Sequence, residues 1–133
     1  VSPGGQIPDV AHDYAVPQKF GLNDWALEGN WTVGDEDASL NSATGRIVFR
    51  FLARDLHLVL GPREDGHAIR FRVRIDGAPP GADHGVDVDA GGEGVVDEQR
   101  LYQLIRQSGE IHDHLFEIEF LAPNVTAYAF TFG

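Results

Sequence analysis

The 133-residue chain contains no cysteine. That excludes every thiol mechanism within it and withholds the usual clue to compartment, because a secreted domain with an adequate core can dispense with disulfides. Basic residues are scarce: ten Lys and Arg stand against 21 Asp and Glu, for a net charge of −11. Such a surface repels a phosphate backbone, whose binding depends on basic side chains releasing counterions, and an anionic membrane is disfavoured for the same reason. No apolar run approaches the length of about 18 residues that a spanning helix needs. Ser2, Ser39, Ser42 and Ser108 sit in turn-like contexts without a G-x-S-x-G elbow, so nucleophilic catalysis has no foothold. No internal repeat is present. The start at Val1 has neither the charged n-region nor the apolar core of a signal peptide, and the chain reads as an excised domain.

What is present is alternation. In residues 68–75, AIRFRVRI, Ile69, Phe71, Val73 and Ile75 fall on one side of an extended chain and Arg70, Arg72 and Arg74 on the other, the signature of a half-buried strand. Ile47, Phe49 and Phe51 repeat it around Arg50, and Phe116, Ile118 and Phe120 repeat it around Glu117 and Glu119. Strands are expected at 46–53, 55–61, 68–76, 86–89, 94–97, 114–121 and 125–132. The turn signals between them are Gly61-Pro62, Asp76-Gly77, Pro79-Pro80-Gly81, Gly91-Gly92 and Pro123-Asn124. Trp25, Leu27, Trp31 and Val33 bracket Glu28-Gly29-Asn30 as two short strands around a turn or bulge.

Leu101, Leu104 and Ile105 in EQRLYQLIR (98–106) suit one or two helical turns, with a strand through 101–105 as the alternative. The fold class expected is all-β: a single antiparallel β-sandwich of jelly-roll type with at most one short helix. Residues 1–22, with Pro3, Pro8 and Pro17, read as an extended lead-in or linker, and 23–133 as the sandwich module. A domain of this size buries about two thirds of its unfolded surface and needs no staple.

Four groups of residues could carry chemistry. Arg50, Arg70, Arg72 and Arg74 project from polar strand faces, as do Glu117 and Glu119. If these strands are neighbours, cross-strand pairs build a charged lattice. Its plain use is a solvated face whose ion pairs contribute about 0–1 kcal/mol each, and its functional use is a polar binding face. Trp25 and Trp31 could stack against sugar rings, although their spacing among Leu27 and Val33 equally fits the core. Asp87, Asp89 and Glu93 make an oxygen-rich segment loosely like a calcium loop, and Asp35, Glu36 and Asp37 form a second acidic group. Gly91 stands where an EF-hand ligand is expected, so no cofactor is assigned, with structural calcium as the weak alternative. His112 and His114 form an H-x-H pair without a diagnostic third ligand. Glu117 and Glu119 alone would be the basis for a glycosidase.

Several segments taken in order resemble a known family. These are Asn23-Asp24-Trp25-Ala26-Leu27 with Gly29 and Trp31-Thr32-Val33-Gly34, Phe51 through ARDLHLVLGP to Pro62, RFRVRIDG (70–77), RLYQLIR (100–106), FEIEFLAP (116–123) and AYAFTFG (127–133). Together they resemble the C-terminal module of DipZ-type proteins, bacterial membrane proteins of the thiol-disulfide interchange and cytochrome c biogenesis class. In that family an extracytoplasmic thioredoxin-like domain precedes a jelly roll similar to galactose-binding and carbohydrate-binding modules. The resemblance implies a non-catalytic accessory module in the periplasm or cell envelope. Its implied partners are the adjacent thioredoxin-like domain and a glycan, with a purely structural or docking role as the alternative. The family's redox cysteines belong to the preceding domain and match no position here.

Overall fold

Among the described residues of the computed structural model there are ten antiparallel strands and one short turn of 3-10 helix at Gly81–Asp83. It describes residues 11–14, 25–34, 37–62, 68–107 and 111–132; for 11–14, 25 and 129–132 only the backbone is described. The strands are β1 (Ala11–Tyr14), β2 (Trp25–Val33), β3 (Ala38–Leu40), β4 (Gly45–Phe51), β5 (Asp55–Gly61), β6 (Ile69–Ile75), β7 (Glu93–Val96), β8 (Arg100–Arg106), β9 (His114–Phe120) and β10 (Thr126–Phe132).

The hydrogen-bonded order is β7-β6-β9-β4-β2-β3-β10-β5-β8, with β1 also on β2. This path folds on itself because β2 serves two layers. Its first half, Trp25–Glu28, pairs with β4, and its second half pairs with β1 and β3. The bend falls at Gly29, at φ +107°, where a Cβ would lie only 3.1–3.2 Å from Ser42 Oγ, the Thr44 carbonyl and Gly45 Cα. Only glycine meets both demands without strain. The two short strands expected over 25–33 are thus one bent strand.

Layer one is β7-β6-β9-β4-β2, and layer two is β1-β2-β3-β10-β5-β8. From β4 onward the chain repeatedly crosses between them: β4, β6, β7 and β9 lie in the first, β5, β8 and β10 in the second. That is the antiparallel β-sandwich expected, with jelly-roll connections. Apolar residues of the two layers meet in one core. Trp31 and Tyr102 of layer two stand edge-on to Phe120 and Phe71 of layer one, at ring-centroid distances of 6.1 and 6.5 Å. Phe49, Phe51, Phe116, Ile47, Ile69, Val73 and Ile118 fill the first side, and Leu40, Leu56, Leu58, Leu60 and Leu104 the second.

Residues 100–106 form β8 and not the helical turns that 98–106 allowed. Residues 86–89 form no strand; they run beside β8, with the Gly85 and Asp87 N–H groups donating to the Leu104 and Gln103 carbonyls, and so cover its outer edge. Asp76-Gly77 makes a two-residue reversal, with φ +53° and +82° and mutual Ile75–Ala78 hydrogen bonds of 2.8 and 3.0 Å, as an Asp-Gly pair favours. Within the expected lead-in, residues 11–14 form β1 against Gly29–Thr32.

Candidate binding faces

Alternation on β4, β6 and β9 sends one set of side chains outward from layer one, and the register makes them neighbours. Arg72 lies opposite Glu119, Arg74 opposite Glu117, Arg46 opposite both Glu119 and Glu28, and Glu93 opposite Arg72. The result is a ladder of alternating charge across five strands.

Glu117 is its centre. Its Oε2 accepts from Arg74 Nη1 at 3.0 Å and lies 3.0 Å from Arg46 Nη1, and its side chain is only 14% exposed. Arg46 also bonds Glu28 through Nη2. That hydrogen bond and the nearby Glu117 charge outweigh burial and raise the guanidinium further above its already high ordinary value. Arg74 reaches Glu119 at 3.9 Å. The ladder loosens toward β7, where Arg70 and Arg72 approach one carboxylate, Glu93, at 3.9 and 3.7 Å.

Of the residues expected on this face, Arg70, Arg72, Arg74, Glu117 and Glu119 are brought together. Arg50 lies toward its other end. It pairs with Asp113 at 3.2 Å, beside a second small cluster in which Asp76 Oδ2 sits 2.6 Å from His114 Nδ1 and Asp76 Oδ1 accepts the Leu115 N–H at 2.9 Å. Burial pushes the Asp76 carboxyl up, but those two hydrogen bonds and the charges of His114 and Arg50 more than offset it and hold the group below its ordinary value. Arg46 and Glu28 were missed as site members. Arg46 shares parity with Arg50 along β4 and was readable from the alternation; Glu28 depended on the β2–β4 register.

Trp31 lies apart from this face. Trp31 is fully buried, its Nε1–H donating to the Glu28 carbonyl at 2.9 Å. Residue 25 pairs in register with Phe49, and the Trp25 side chain lies outside the described residues. Among the candidate calcium ligands, Asp87 accepts from Arg100 Nη2 at 2.9 Å and from the Gln103 N–H at 2.8 Å, and Asp89 accepts the Glu93 N–H at 2.9 Å. Glu93 turns to the arginines. Asp35 and Glu36 lie outside the described residues, and Asp37 is exposed. His112 and His114 stand 6.4 Å apart between ring centroids. Among the described residues no three His, Asp or Glu side chains converge as a metal site would require.

The opposite face differs in kind. Along the middle of layer two the outward positions are Thr32, Ser39, Thr126, His57, Val59, Leu101 and Gln103. Ser39 and Thr126 hydroxyls meet at 3.2 Å, and Leu101 is 46% exposed. These positions carry no carboxylate, lysine or arginine, in a chain of net charge −11. One face of the sandwich is laced by its own ion pairs, whereas the middle strip of the other carries no carboxylate, lysine or arginine, with Arg106 exposed at its end.

No curated protein matches the chain. A family model described as the thioredoxin-like C-terminal domain matches residues 1–133, and the chain belongs to that family.

Proposed function

We propose that the chain is the non-catalytic accessory domain of an extracytoplasmic thioredoxin-like protein of DipZ type, and that it docks against the thioredoxin-like domain through the uncharged strip along the middle of the outer face of layer two. The observation that carries this reading is the contrast between the faces. A partner approaching layer one must break charge pairs already satisfied within the chain, whereas one approaching Val59, Leu101, Gln103 and Thr126 desolvates only neutral groups, which costs less. The choice of a thioredoxin-like domain as occupant follows from reading the thioredoxin-like C-terminal family as an accessory to such a domain. Strand β1, the first described strand, pairs with the layer-two half of β2. Sugar stacking receives less support, since Trp31 and Tyr102 are spent in the core.

Hydrogen exchange tests the reading, comparing the chain within its full-length protein with the chain alone. Added protection is expected at 57–60 and 101–103, with none at 70–74, and Leu101→Asp should abolish it. Protection confined to β6 and β9, or no difference between the two states, would remove the docking role.

A further inference from the structure

We propose that His57 makes the docking strip of layer two sensitive to pH: its neutral ring is compatible with a covered face, whereas its protonated ring places an uncompensated charge there and releases the partner. The inference rests on the docking role proposed for that strip and supplies its regulation.

Histidine is the side chain whose charge ordinarily changes between about pH 5 and 8. Among the strip positions His57 alone can gain a proton there. It is half-buried on β5, between Thr131 of β10 and Gln103 of β8 in register.

The surroundings of the ring decide what a proton does. On the β8 side Gln103 is neutral, its Oε1 already accepts the Val86 N–H at 3.0 Å, and the next pair along is apolar, Leu101 with Val59. On the β10 side the residues in register, Ala129 and Thr131, are neutral. The charged groups at the margins supply no spare anion. Asp55, two positions along β5, lies 3.4 Å from Arg54 through Oδ2 and pairs in register with Arg106. Its Oδ1 is buried and accepts no hydrogen bond, from His57 or any other described residue. With two arginines to one carboxylate, that end of the strip carries no surplus negative charge. Asp87, whose carboxylate accepts the Gln103 N–H, is held by Arg100 at 2.9 Å. His84, which bridges Ile105 at the edge of β8, places Nδ1 2.8 Å from the Gly85 carbonyl and is the second histidine beside that strand.

An imidazolium at position 57 therefore depends on water for its solvation, and a partner that covers it takes that water away. Left uncovered, it stays hydrated. Protons accordingly favour the undocked state, and docking weakens as pH falls.

Hydrogen exchange in the full-length protein, divided at each pH by that of the chain alone so that the intrinsic pH dependence cancels, measures this at residues 57–60 and 101–103. Protection there should fall at least about threefold between pH 7.5 and 5.5. His57→Gln, whatever its protection at pH 7.5, should keep it at pH 5.5, and the permanently charged His57→Arg should be less protected than His57→Gln at both; unchanged exchange in β6 and β9 reports an intact fold. Protection absent already at pH 7.5 removes the docking role and the switch with it. Protection present at pH 7.5 that stays constant, rises on acidification as a His57–Asp55 pair would make it, or falls equally in His57→Gln leaves the docking role standing and overturns the switch.

Discussion

Glu117 on β9 and Arg74 on β6 face each other in register, with Oε2 and Nη1 3.0 Å apart, and the same carboxylate oxygen lies 3.0 Å from Arg46 of β4. One side chain thus ties three adjacent strands together on the outer surface of layer one. Its 14% exposure separates it from the surface pairs around it: Glu28 is 45% exposed, and Glu93 47%.

Removing that carboxylate leaves two guanidinium groups facing each other across β9. Exposed pairs contribute about 0–1 kcal/mol and broken buried pairs cost about 3–5 kcal/mol. Glu117→Ala, between these limits, is expected to destabilise by about 1–3 kcal/mol, while Glu93→Ala changes stability by less than about 0.5 kcal/mol. Urea midpoints of the two variants check the ordering, and equal effects would refute the central role of Glu117.

Glycines 29 and 77 both lie at positive φ, +107° and +82°, but only the first is crowded. A Cβ on Gly29 meets Ser42, Thr44 and Gly45 at 3.1–3.2 Å, and one on Gly77 meets nothing within 4 Å. Gly77→Ala is expected to cost about 1 kcal/mol from backbone strain alone, and Gly29→Ala about 2–3 kcal/mol, because strain and contact add. Thermal denaturation should show the larger fall in Tm for Gly29→Ala, since that residue carries β2 from one layer to the other.

Much of this architecture is legible in the residues themselves, and where it is not the cause is local. β6 alternates without interruption and reads directly. β8 imitates a helix because the β5–β8 register skips Leu104, pairing Leu56 with Ile105 and His57 with Gln103. That bulge sends Leu104 and Ile105 both inward while Leu101 stays outside, so the apolar residues fall at i, i+3, i+4 on a strand. The alternating Val86-Asp87-Val88-Asp89 imitates a strand, but the Asp87 carboxylate is turned back to accept the Gln103 N–H. On the charged face the members on β4, β6 and β9 were readable from alternation, but Glu28 and the pairing were not. The pairing depends on β9 lying between β4 and β6, an order set by chain crossings far apart in sequence.

Asp76 provides a pH test. Its folded carboxyl lies below the ordinary value of 3.8, so the stabilisation it contributes is complete above that value and is lost as pH falls through the lower, folded one. Asp76→Asn retains a residue that tolerates positive φ and removes the charge. The variant should be less stable than the parent at pH 7, by less than about 1 kcal/mol because the side chain is 53% exposed. The gap should close below about pH 4. Chemical denaturation at pH 7, 5 and 3 measures it, and a gap that widens on acidification would contradict the assigned direction.

Tyr102 gives the largest polar effect expected in the core. Its ring is fully buried between Phe71 and the Arg100 guanidinium, whose Cζ lies 3.8 Å from the ring centroid. Its hydroxyl donates to the Glu98 carbonyl at 2.7 Å and accepts the Asp97 and Glu98 N–H groups at 3.2 and 3.3 Å. Burial, the largest influence on this phenol, raises it above its ordinary value, so the hydroxyl remains a neutral donor at any pH where the fold is studied. Tyr102→Phe keeps the ring contacts and strips partners from three backbone groups of the β7–β8 connection. Leaving part-buried donors and an acceptor unsatisfied costs about 1–3 kcal/mol. The loss should appear in urea unfolding together with faster amide exchange at Asp97 and Glu98, and unchanged exchange there would mean that those amides are held by other groups.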